Sequence, residues 1–166
     1  MNFITKYRDK GETGAILDEY EKSINELKQV INNISNIDLI EIVDHNTKDE
    51  HCKSIQTILA HVVRAGYTYA IEIRKWMGET IDYKDIQLLN SSEEYIKALD
   101  LMFEYNEKLF KDYPNIKFEE NDSSKKMLVR WGQKYDVEQL LEHAIVHILR
   151  HRRQIERFKI KLESNN

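Results

Sequence analysis

Asp136-Val-Glu-Gln-Leu-Leu-Glu-His143-Ala-Ile-Val-His147-Ile-Leu-Arg-His151-Arg-Arg-Gln-Ile-Glu-Arg-Phe158 is the stretch whose reading decides the fold. It is long enough for a helix and places a histidine at every fourth position. In an α-helix a step of four residues returns to nearly the same face about 6 Å further along the axis, so neighbouring imidazoles can converge. Val137, Leu140, Leu141, Ala144, Ile148, Ile155 and Phe158 form an apolar stripe. The positions missing from that stripe are His147 and His151, and His143 falls on its flank. Asp136 and Gln139 are spaced as a reciprocal cap, which starts the helix at about 136. Arg152, Arg153, Arg157 and Lys159 are read as last-turn cations that suit the negative end of the helix dipole.

The remaining chain supplies three more helices. Leu17, Tyr20, Ile24, Leu27, Ile31 and Ile34 alternate three- and four-residue steps, predicting a first helix over about 14–34. A polar connection at 44–51 follows; it contains His45 and His51, which lack helical spacing to each other and are read as solvated. Such a loop can still fold over a pocket. Ser54 caps a second helix with Ile55, Ile58, Leu59, Val62, Gly66, Tyr69, Ile73 and Trp76 on its core side, ending near Gly78. His61 sits at the edge of that stripe, in a row with the small residues Ala65 and Thr68. Ser91-Ser-Glu-Glu94 is a capping box opening a third helix that stops at Tyr113-Pro114, with Ile96, Leu99, Phe103, Phe110 and Tyr113 on its core face. Residues 115–134 read as a long loop or small hairpin, with Trp131 expected to pack onto the end of the bundle or, as the alternative, to wall a pocket.

Composition agrees with this outline. The chain has 166 residues, 41% hydrophobic and 33% charged, with one proline and five glycines, which favours long helices in one domain over 1–166. A formal charge of −4 argues against nucleic-acid binding. No apolar run approaches membrane-spanning length, and the first ten residues lack a signal core, so a cytoplasmic location is expected. The lone Cys52 fits a reducing compartment and reads as an incidental loop thiol.

The expected architecture is all-α, a four-helix bundle with imidazoles in its core at one end. A buried imidazole without a partner costs about 1–3 kcal/mol, so two of them on one core face require polar neighbours or a metal. The pair His147 and His151 alone is equally consistent with hydrogen-bonded core histidines and with a chelate.

Ser54-Ile-Gln-Thr-Ile-Leu-Ala-His61 together with Glu142-His-Ala-Ile-Val-His147-Ile-Leu-Arg-His151-Arg-Arg-Gln154 resembles the DinB family of metal-dependent helical-bundle proteins, over essentially the whole chain. The resemblance implies a divalent metal held by His61, His147 and His151, with one position open. That family often carries His-Arg-Gly-Gln after the last ligand, where this chain has His151-Arg152-Arg153-Gln154, so a close helix or dimer contact at the glycine is altered. Zinc is the first choice of metal, with nickel, iron or manganese also suited to three nitrogen ligands. The resemblance also implies a small-molecule substrate, a low-molecular-weight thiol of the bacillithiol type transferred to an electrophile. A non-catalytic metal site, structural or stress-related, and hydrolysis by bound hydroxide remain as alternatives. A di-iron carboxylate site is disfavoured because its Glu-x-x-His pairs are missing. Glu142 and His143 are candidates for supporting the ligands rather than ligating. Arg64, Arg150 and Arg152 are read as solvated rather than as a grip on a carboxylated thiol. Ile145, Val146 and Leu149, apolar outside the core stripe, suggest a homodimer contact.

Overall fold

The computed structural model describes residues 7–9 and 11–164; residues 1–6, part of the stretch read for a signal core, lie outside the described residues. Among the described residues the chain is mostly helical: α1 (Gly11–Ile31), α2 (Asn36–Ile40), α3 (Ile55–Trp76), α4 (Ser92–Asp112) and α5 (Val137–Ser164), with a 3-10 turn at Glu50–Cys52. Among the described residues no helix is long and apolar enough to cross a membrane.

The four long helices are those expected from periodicity. α1 packs on α4 and α5, and α3 packs on α4 and α5, so each touches two others around one apolar core. Tyr20, Ile24, Leu27, Ile58, Leu59, Ile73, Tyr95, Leu99, Met102, Leu140, Leu141 and Ile148 are almost wholly removed from water within it. The caps form as the sequence dictates. Ser54 and Thr57, and Ser91 and Glu94, make reciprocal boxes, and Asp136 accepts from the Gln139 N–H at 2.9 Å while its own N–H donates to the Gln139 side chain at 3.3 Å.

Four differences from the sequence expectations bear on the site. α1 begins and ends three residues earlier than expected, and Ser35 caps the additional short helix α2, whose Leu39 is fully buried. Ile96 and Tyr113 are only half-buried, at the border of the core face of α4. The segment before α5 is a hairpin in which Met127–Leu128 pairs antiparallel with Lys134–Tyr135, turned by Gly132 at φ +85, a conformation that glycine adopts without a Cβ penalty. Finally, α5 runs to Ser164, with Lys161 as the cation of its last turn, so Arg152, Arg153 and Arg157 are interior to the helix rather than at its end.

Glu72 of α3 fixes the hairpin. Its buried carboxylate accepts from the Arg130 N–H at 3.0 Å and from the Tyr83 hydroxyl at 2.8 Å, tying both long connections to one helix. Those bonds offset the cost of burying the charge, and they set Trp131 against the early turns of α5.

Candidate metal centre

His61 projects from α3 and His147 and His151 from α5, across a packed helix pair. Their positions follow from helical phase: His147 and His151 occupy core-stripe positions and are 6% and 4% exposed, while His61, at the stripe's edge, is half-buried. The Nε2 atoms converge. His147 Nε2 lies 2.9 Å from His61 Nε2 and 3.2 Å from His151 Nε2, and one ligand atom from each residue falls within 4.8 Å of the other two. Three nitrogens bound at about 2.0–2.1 Å to a tetrahedral ion would stand roughly 3.3 Å apart, so the spacing is close to one face of such a shell.

Proton counting shows why the group suits a cation. His151 Nδ1 donates to Gln154 Oε1 at 3.1 Å, which leaves the His151 Nε2 lone pair bare. Protonated, His147 Nε2 can aim its single N–H well at only one of its two Nε2 neighbours; unprotonated, its lone pair faces the bare lone pair of His151 Nε2. His61 Nδ1 is buried with no hydrogen-bond partner, so no second hydrogen bond fixes that ring. A cation shared by the three lone pairs removes the conflict, and the residues present therefore fit a divalent metal.

Electrostatics keeps those lone pairs available. Burial first, then the neighbouring rings and Arg150, pushes His147 down to about 2. Burial, followed by His151, His51 and Arg64, pushes His61 down to about 4. His151 is also lowered by burial, against the opposing hydrogen bond to Gln154. All three are neutral at pH 7, the state in which imidazole ligates.

The surroundings differ on the two sides. On one side Trp131 stacks on His143 with ring centroids 6.0 Å apart, and Tyr69 stands edge-on to His143 at 5.6 Å and to His147 at 5.9 Å. Trp131 thus packs against His143 in the early turns of α5 and is 38% exposed. His143 belongs to this aromatic group and not to the converging set, and Glu142 is exposed on the outer face. On the other side a cleft of about 520 Å³ opens to solvent, lined by Asp49, Cys52, His61, Arg150, His151, Arg153, Gln154 and Arg157.

The loop at 44–51 does fold over this region. His45 stays exposed, but His51 is half-buried and stacks on His61 at 5.4 Å and 12°, correcting its reading as solvated. Its lack of helical spacing to His45 said nothing of a contact with His61 that exists only in three dimensions. Cys52 donates to Asp49 at 3.4 Å, and burial pushes its thiol up, which agrees with an unreactive thiol. Gln154 was legible as a neighbour of the ligands: it lies three residues after His151, on the same face. Arg152 is neutralised by Glu26 and Glu156, as a structural arginine would be. No family model matches this chain and no curated protein matches its sequence, so the site rests on its own geometry.

Proposed function

We propose that this chain is a four-helix-bundle protein of the DinB type that holds a divalent metal, zinc in the first instance, and uses it to transfer a small thiol to an electrophile. The observation that carries the reading is the convergence of three neutral imidazole nitrogens, from two helices, within 4.8 Å of one another. Nickel, iron and manganese suit the same donors, and supply decides among them. When bound, the ion would supply Lewis acidity, lowering the pKa of a coordinated thiol or water towards neutrality.

The chain's own residues do the rest. His61, His147 and His151 present lone pairs, and three ligands leave a tetrahedral shell one short, the arrangement of a reactive rather than a structural site. Gln154 holds the His151 ring in its ligating tautomer. Tyr69 and the His143–Trp131 stack keep water from the inner side of His147, so that substrate reaches the histidines through the cleft. In the transfer a sulfur–carbon bond forms as the electrophile's leaving group departs, and the thiol proton passes to solvent.

Zinc-loaded, metal-free and His147→Ala proteins, each supplied with a low-molecular-weight thiol and a panel of electrophiles, test the reading. Thioether formation by the zinc-loaded wild type alone is the expected result. Ester or amide cleavage without thiol would replace it with hydrolysis, and tight metal binding without any turnover would assign a structural or stress-related role. The exposed Val146 and Leu149 of α5, beside Ile145, are the surface we assign to a homodimer contact. A single 19.9 kDa species by light scattering at all concentrations would defeat that assignment.

A further inference from the structure

Arg150, Arg153 and Arg157 line the cleft into which His61 and His151 also face. Their three- and four-residue spacing keeps them along one side of α5 over roughly 10 Å. All three are exposed, and none makes an ion pair among the described residues. Arg152, within the same run, by contrast forms ion pairs with Glu26 and Glu156. The helix dipole does not explain the row, because α5 continues to Ser164 and the arginines stand roughly two to four turns inside its end, where the dipole's influence has faded.

The cleft is therefore unevenly charged. Its one acid, Asp49, already accepts from the His51 N–H at 2.9 Å and the Cys52 thiol at 3.4 Å. Three guanidiniums face that single carboxylate, and neighbours of like charge on one helix face repel. A bound anion relieves the repulsion, and the planar guanidinium fork matches the paired oxygens of a carboxylate or phosphoryl group. A volume of about 520 Å³ suits a small molecule.

We infer that this cleft recognises an oxyanion-bearing small molecule, a dicarboxylate or a phosphorylated compound, whose charged end is held by Arg150, Arg153 and Arg157 and whose reactive end points to His61 and His151. The reactive end rests on the metal-site reading above; the charged end rests on the arginine row alone. Calorimetric titration of zinc-loaded and metal-free protein with malonate, and in a second arm with inorganic phosphate, at pH 7.5 and low ionic strength, separates the two. Wild type should bind in at least one arm, and the tighter arm identifies the carboxylate or the phosphoryl source. The double variant Arg150→Gln, Arg153→Gln should bind at least tenfold more weakly with its zinc content unchanged, while Lys97→Gln, an exposed charge change on α4, should bind as wild type. No binding in either arm, or equal affinity in the double variant, overturns the inference. So does binding that disappears with the metal yet survives the arginine changes, because the anion would then be a ligand of the ion alone. Anion binding that depends on the arginines in a protein unable to take up zinc supports the inference and refutes the metal-site reading.

Discussion

Acidifying the metal-free protein should cost it stability through His147. That ring is 6% exposed, and burial pushes its pKa from 6.5 down to about 2. The folded protein keeps it neutral while the unfolded chain takes up a proton below pH 6.5. Stability from this group is thus complete above pH 6.5 and is lost progressively as the pH falls towards 2. Each unit below 6.5 costs about 1.4 kcal/mol, and the step from pH 7 to pH 5 about 2 kcal/mol. His61, lowered to about 4, acts in the same direction, with a smaller share because its ring is partly exposed. Urea unfolding of chelator-stripped wild type and His147→Leu at pH 7 and pH 5 measures the difference; carboxylates common to both proteins cancel. Wild type should lose about 2 kcal/mol more than the variant over that interval. Equal losses would refute the claim that this imidazole is held neutral by burial.

Two substitutions probe the packing and the support of the site. In Gly66→Ala the new Cβ would collide with Met102 Sδ and stand 2.8 Å from its Cγ; that thioether accepts from Tyr20 at 3.7 Å and from Asn106 at 3.4 Å, so it cannot swing away freely. A loss of about 1–3 kcal/mol in urea unfolding is expected, and one below about 0.5 kcal/mol would show that the α3–α4 contact relaxes. Gln154→Ala frees the His151 ring and should weaken zinc binding about 10- to 100-fold in competition with a chromogenic chelator, with the fold intact by circular dichroism. Unchanged affinity would show that Gln154 does not position its neighbour.

The long helices are legible in the sequence because each carries its own period and three of the four carry a cap: Ser54, Ser91 and the Asp136–Gln139 pair all close as read. The short helix at Asn36–Ile40 escapes because five residues hold barely one turn of pattern. The end of α5 escapes because no glycine or proline follows Phe158, and the basic run looks like a terminus. In the site, His147 and His151 are visible as gaps in an apolar stripe, a local signal. The place of His61 beside them is implied only by resemblance, since phase alone leaves it at an edge. His51 over His61, and Trp131 against His143, are contacts between segments far apart in the chain, and no spacing rule carries them. The hairpin that delivers Trp131 depends on Glu72, a charged residue whose burial runs against its type.

Metal content by elemental analysis, on protein purified without a metal-affinity tag and compared with His61→Ala and His147→Ala, bears hardest on the three-histidine centre. One divalent ion per chain in wild type, lost in both variants, is the predicted result and would establish a site bridging α3 and α5. No ion in wild type even after incubation with zinc, or full occupancy surviving in either variant, would contradict it and return these imidazoles to ordinary core packing.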